Sequence, residues 1–182
     1  MKYFAYGSNM LKARLEERVG LVSPGVTASI RAYRLRFHKK SSDDSGKCNM
    51  IYTGSQKDVV YGVVFEISEA QKCKLDRAEG LGCGYDIKEI PIRLPDGTEK
   101  FARAYVAVSS AIDDAVVPYS WYQKLVIAGA EQHNFPGDYI AGLQAVPYAE
   151  DPKRDRKTKR DAERILDAYR AHSISNPSLG KS

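Results

Sequence analysis

The sequence predicts a single mixed α+β domain, with strands and helices interleaved. Three observations carry that expectation. A chain of 182 residues suits a single core, since domains of about 100–200 residues bury most of the surface that their unfolded chains expose. An apolar fraction of 43% with 28% charged residues is that of an ordinary globular chain. Strand-period and helix-period segments are intermixed without the regular repetition of a doubly wound sheet.

Lys2–Tyr6 alternates bulky and small residues, meets Gly7-Ser8-Asn9, and is followed by Leu11, Leu15 and Val19 at helical spacing. That reads as strand, tight loop and helix. Residues 28–38 set Tyr33, Leu35 and Phe37 against Arg34, Arg36 and His38, the pattern of one strand with one buried face. The polar run 39–47 lacks apolar anchors and is expected to be a mobile loop. Asn49–Thr53 and Val59–Ile67 are rich in β-branched and aromatic residues and are expected to pair as a hairpin. Ser68 and Gln71 have capping-box spacing, so a helix should start there and end at Glu79, before Gly80. Tyr85–Leu94 and Lys100–Val108 flank Pro95-Asp96-Gly97 and predict a second hairpin. Helices are expected over 120–132, briefly after Pro136, and over 153–171, the last opened by Asp151 and Pro152. The tail from Ser173 reads as frayed.

Several function classes are excluded early. Cys48, Cys73 and Cys83 make an odd count with no CxxC pair, which indicates neither a disulfide framework nor a zinc knuckle and fits a cytoplasmic setting. Cys83 lies beside a glycine-rich loop without a histidine partner and reads as a small wall residue. His38, His133 and His172 are far apart, so no metal site is expected. Without a GxxxxGK or GxGxxG loop, no nucleotide and no other cofactor is expected. No apolar run approaches the roughly 18 residues of a membrane span, and the N-terminal segment has no signal-peptide core. The net charge of +5 is concentrated at residues 151–182, with nine Lys/Arg against five Asp/Glu, leaving a nearly neutral body. A terminal annex of charge argues against a nucleic-acid enzyme, and Lys153–Arg160 reads as the solvated face of a helix, the alternative being a contact with nucleic acid or an anionic membrane.

Two segments carry candidate chemistry. Tyr6-Gly7-Ser8-Asn9 is a glycine turn between strand and helix, able to aim N–H groups at an anion or a polarised carbonyl, or else a plain turn with Ser8 or Asn9 as helix cap. Glu79 closes a helix beside Gly80, Gly82, Gly84 and Tyr85. The helix end disfavours negative charge there, and the glycines let a ligand come close. Asp76 and Arg77 read as solvent or ion-pair residues.

Together these segments resemble the γ-glutamyl cyclotransferase family (AIG2-like fold). The match is Tyr6-Gly7-Ser8-Asn9, then Asp76-x-x-Glu79-Gly80 with Tyr85 six positions after the glutamate, and Tyr122-Gln-Lys-Leu-Val-Ile-Ala-Gly-Ala followed by Pro136 and Tyr139. It covers about residues 1–146. The resemblance implies a small mixed barrel-like fold, often a homodimer, with a small γ-glutamyl compound as substrate. It puts the binding loop on Tyr6, Gly7, Ser8 and Asn9, the catalytic acid–base on Glu79, and pocket tyrosines on Tyr85 and Tyr122. The implied reaction is attack of the α-amine of a γ-glutamyl amino acid or peptide on its own γ-carbonyl, releasing 5-oxoproline and a free amine. The alternatives are a γ-glutamylamine- or glutathione-directed enzyme, or a non-catalytic binding module on the same fold. A γ-glutamyl amide carries nucleophile and electrophile in one molecule, so it needs a positioned proton carrier and oxyanion donors, and no protein nucleophile. Domain boundaries are accordingly expected as 1–150 for the cyclotransferase-like unit and 151–182 for a basic helix and tail. Removing the latter is expected to leave the fold.

Overall fold

The computed structural model describes residues 1–175; the part of the expected frayed tail from Asn176 onward lies outside the described residues. In chain order the elements are β1 (Lys2–Ala5), α1 (Lys12–Val19), β2 (Val26–Arg31), β3 (Tyr33–Lys40), β4 (Gly46–Tyr52), β5 (Val59–Glu66) and α2 (Glu69–Glu79). They continue with β6 (Tyr85–Arg93), β7 (Glu99–Ala107), α3 (Ser120–Gln132), α4 (Gly137–Gln144) and α5 (Lys157–Ser175). A short 3₁₀ turn, Ser8–Met10, joins β1 to α1.

Five strands close a barrel in the order β1-β5-β2-β6-β7. Neighbours are antiparallel, except where β7 returns to β1 in the parallel sense at Tyr3 and Arg103. Side chains alternate across the pleat, and β5 is buried on both faces: Val60 shares one face with Phe4, and Val63 and Phe65 occupy the other, while Lys2, Glu66, Asp86 and Arg93 of the barrel strands are exposed. Closure leaves the sheet no free edge. β3 and β4 stand apart as a two-stranded sheet.

Local signals were read well. The capping box forms, with the Gln71 N–H donating to Ser68 Oγ at 3.2 Å and the Ser68 N–H to Gln71 Oε1 at 2.8 Å. The β6–β7 hairpin turns at Asp96-Gly97, where Gly97 has φ 84°. Non-local pairing differs from expectation. The single strand over 28–38 is two strands broken at Ala32, whose φ of 63° takes the chain out of the barrel and into β3. β4 pairs with β3, while β5 pairs with β1 and β2, so the expected hairpin of 49–53 with 59–67 does not exist.

The run 39–47 is the end of β3, a hydrogen-bonded turn over 41–45 and the start of β4, with Lys39 paired opposite Lys47. The Ser41 N–H donates to Ser45 O at 3.0 Å, and the Gly46 N–H to Val117 O at 2.8 Å. Tyr119 Oη donates to Asp43 O at 2.9 Å. These hydrogen bonds anchor a segment that lacks apolar residues.

The C-terminal segment is docked on the body. Ala162, Ile165 and Leu166, at helical spacing on one face of α5, are buried, and α5 packs against α3 and α1. Asp151 is buried, accepting from Trp121 Nε1 at 3.1 Å and from Arg156 Nε at 2.7 Å. Because its carboxylate ties the chain down in this way, the helix starts at Lys157 rather than near 153. Packing of this kind does not support the expected dispensability of the segment.

Candidate active site

Three pieces of the fold converge on one end of the barrel. β1 leads into the Ser8–Met10 turn, and α3 presses on that turn through Gly129, where a Cβ would lie 2.7 Å from Leu11 N. Only glycine allows that approach. α2 brings Glu79 to the same place and stops. Gly80 takes φ 66°, its N–H reaches Arg77 O, and the Leu81 N–H reaches Asp76 O at 2.9 Å. This is a Schellman motif, which fixes Glu79 as the last helical residue.

Between them lies a cavity of about 380 Å³, whose walls include Tyr6, Gly7, Ser8, Asn9, Glu79, Tyr85 and Tyr122. All seven residues singled out in the sequence meet there. The two motifs, seventy residues apart, are bonded to each other. Asn9 Nδ2 donates to Glu79 Oε1 at 2.9 Å and to Tyr3 Oη at 2.9 Å, while Asn9 Oδ1 accepts from Arg18 Nη1 at 3.1 Å. Arg18 Nη1 also lies 2.6 Å from Glu79 Oε1. Each amide atom faces partners of the right polarity, which fixes the side-chain orientation. The contacts hold Oε1, and among the described residues Oε2 has no hydrogen-bond partner.

Arg18 was missed in the sequence. The reading of Glu79 counted its helix end but not this cation. The signal was present, because Arg14 and Arg18 lie at i and i+4 among Leu11, Leu15 and Val19, on the face α1 turns inward. Arg14 is buried and lines the same cavity, pairs with Glu17, and leaves its Nε without a hydrogen-bond partner among the described residues. Burial, followed by the repulsion of Arg18, pushes its guanidinium below the ordinary range.

The tyrosines differ in what they still offer. Tyr6 Oη donates to Tyr105 O, and Tyr85 Oη donates to Cys48 O at 2.8 Å, so both protons are committed. Tyr122 Oη accepts from the Cys48 N–H at 3.1 Å, and the further partner beside its own proton is the weakly accepting Cys48 thiol. Cys83 is exposed and away from the cavity, because the Gly80–Gly84 loop turns it outward; the cysteine in the wall is Cys48. Burial pushes the Cys48 thiol up to about 12, which leaves it protonated and a poor nucleophile at neutral pH.

The remaining wall comes from the β3–β4 turn and the start of α5: Lys39, Ser41, Asp43, Lys47, Arg156 and Lys157. Lys47 Nζ pairs with Asp43 at 2.9 Å and sits 4.9 Å and 4.8 Å from the ring centres of Trp121 and Tyr122. His38, considered for a metal, is buried with its Nδ1 2.9 Å from Asp114 and its Nε2 3.1 Å from Asn49. Among the described residues no three His, Cys, Asp or Glu side chains cluster as a metal site.

A concave cavity with one anchored carboxylate, polar turns around it and no activated nucleophile is the form of site that acid–base enzymes use on small molecules. The family model described as AIG2-like matches residues 59–143. Proteins named gamma-glutamylcyclotransferase from Mus musculus and Homo sapiens are 30% and 28% identical over 149 and 152 residues, each covering 79% of this chain and 77% of the relative. A solved structure titled gamma-glutamyl cyclotransferase superposes with a TM-score of 0.79 at 24% identity, covering 92% of this chain and 98% of that one, and so shares the fold. The chain belongs to the γ-glutamylcyclotransferase family of enzymes.

Proposed function

We propose that this chain converts γ-glutamyl amino acids or peptides into 5-oxoproline and the free amine, with Glu79 as proton carrier. The observation that carries the reading is the restraint on Glu79: Arg18 and Asn9 hold Oε1, which leaves Oε2 for a substrate proton. The α-ammonium gives a proton to Glu79, and the freed nitrogen attacks the γ-carbonyl carbon to close a five-membered ring. Glu79 returns the proton to the leaving nitrogen as the amide C–N bond breaks. The second proton released by the ring nitrogen follows the same route to leave an ammonium product. Holding the folded substrate makes the attack effectively unimolecular, which in well-oriented systems removes about 7–11 kcal/mol of barrier. The turn of Gly7, Ser8 and Asn9 supplies donors for the carbonyl oxygen or the α-carboxylate, and Tyr122 has a hydroxyl proton to add. A cytoplasmic setting is part of the proposal, supported by three cysteines outside any disulfide.

The experiment is direct. Incubate the pure protein separately with γ-glutamyl-alanine, glutathione and a γ-glutamylamine, and follow 5-oxoproline by mass spectrometry. Release from the amino-acid substrate supports the reading, whereas binding of all three without any 5-oxoproline would mark a non-catalytic binding module.

A further inference from the structure

Six cationic side chains line the cavity: Arg14, Arg18, Lys39, Lys47, Arg156 and Lys157. Five have carboxylate partners: Glu17, Glu79, Asp43, Asp151 and Asp161, in that order. Among the described residues Lys39 has none. Its ammonium is half-buried, with Nζ 5.0 Å from the centre of the Tyr85 ring. Burial pushes it below the ordinary lysine range, against the pull of Glu79 and Asp43. A partly desolvated ammonium without a counter-ion is costly until an anion arrives.

The reaction proposed above fixes where the substrate's parts lie. The glutamyl half must fold around Glu79, since its amine has to reach both that carboxylate and the γ-carbonyl. The leaving nitrogen must also reach Glu79 to take its proton, so only the substituent beyond it extends along the wall built by the β3–β4 turn and the start of α5, where Lys39 Nζ stands beside Gly84 and the Tyr85 ring. On that wall Lys47, Arg156 and Lys157 are met by Asp43, Asp151 and Asp161, which leaves Lys39 as the cation without a carboxylate among the described residues. The number of unmet donors agrees with this. Arg14 Nε is buried without a hydrogen-bond partner, and the Lys39 ammonium is the cavity cation without a carboxylate partner, both among the described residues. A γ-glutamyl amino acid carries two carboxylates, whereas a γ-glutamylamine carries one.

We infer that Lys39 is the specificity-determining residue for the leaving group, pairing with its free carboxylate, and that the basic start of α5 draws such anionic substrates to the mouth. This rests on the cyclotransferase reading and adds a selection rule to it. The basic segment 153–160, read from sequence as a solvated face, thereby gains a role through Arg156 and Lys157.

The test compares two substrates that differ only in that carboxylate, γ-glutamyl-alanine and γ-glutamyl-ethylamine. The wild-type protein should favour the first in kcat/KM by about ten- to hundredfold, the usual worth of a hydrogen bond to a charged group. Lys39→Met should collapse this ratio to about one to threefold, mainly through a higher KM for γ-glutamyl-alanine, and Lys39→Arg should restore part of it. Lys39→Gln, which retains polarity, provides the same reading should the methionine variant fail to fold. A wild-type protein indifferent to the carboxylate, or Lys39 variants that keep the preference, would overturn the inference while leaving the cyclotransferase reading intact. Absence of 5-oxoproline from both substrates would overturn both.

Discussion

Asn9 Nδ2 donates to Glu79 Oε1 across 2.9 Å, and through that bond the turn after β1 holds the end of α2. The same amide also contacts Arg18 and Tyr3, so one side chain serves three partners. Asn9→Ala leaves the Tyr3 hydroxyl and one oxygen of Glu79 short of a donor. A stability loss of about 1–3 kcal/mol is expected, and a fall in kcat approaching a hundredfold, the cost of a misplaced reacting group. Thermal melts and steady-state kinetics check it; unchanged kcat would show that Asn9 does not position Glu79.

Arg18→Lys keeps the charge but replaces the rigid planar guanidinium, whose Nη1 reaches both Asn9 and Glu79, with a flexible ammonium of different reach. The expected outcome is a drop in kcat larger than any rise in KM, because the contact positions the carboxyl rather than binding substrate. A change confined to KM would instead place Arg18 on the substrate.

Much of this site was legible because its signals are local. The Ser68–Gln71 box and Gly80 delimit α2, and thus the position of Glu79, from a few neighbouring residues. The turn after β1 was equally readable from Gly7-Ser8-Asn9. What escaped depends on contacts distant in sequence. Nothing adjacent to Ala32 announces a left-handed residue that ends one strand and starts another. β4 and β5 have similar β propensity whichever partner they take, and barrel closure gives β5 to β1 and β2. Lys39 and Lys47 looked like solvated loop residues until the β3–β4 turn folded over the cavity.

The basic segment shows the same limit. Its charges dominate the sequence, while Ala162, Ile165 and Leu166 do the packing. Removing residues 151–182 exposes their binding face, and Ile165 and Leu166 alone, at about 1.5–3 kcal/mol each, amount to a large fraction of a typical stability of about 5–15 kcal/mol. The truncated protein is expected to lose its cooperative melt or to melt far lower. Retention of the full-length Tm would return the segment to the status of an annex.

Acid should loosen that docking. Burial works to raise the Asp151 carboxyl, but hydrogen bonds from Arg156, the Lys153 N–H and Trp121 outweigh it and leave the group below its ordinary range. A depressed folded value means the stabilisation is complete above the unfolded value, about 3.9, and is lost as pH falls through the folded one. Melting curves from pH 6 to pH 2 should show the wild type losing more of its Tm below about pH 4 than Asp151→Asn, which has no such carboxylate to protonate. Parallel curves would remove Asp151 from the acid response.

The central claim is that Glu79, restrained at Oε1 by Arg18 and Asn9, carries the proton. Glu79→Gln preserves shape and hydrogen bonding but cannot accept and return a proton. The measurement is 5-oxoproline formation from γ-glutamyl-alanine by this variant, alongside calorimetric binding of the same substrate and circular dichroism. Turnover lower by about 10²–10⁴-fold or more, with fold and binding retained, is the predicted result. A folded, substrate-binding Glu79→Gln protein that turns over within a few-fold of wild type would contradict the claim and reduce Glu79 to the last residue of a helix.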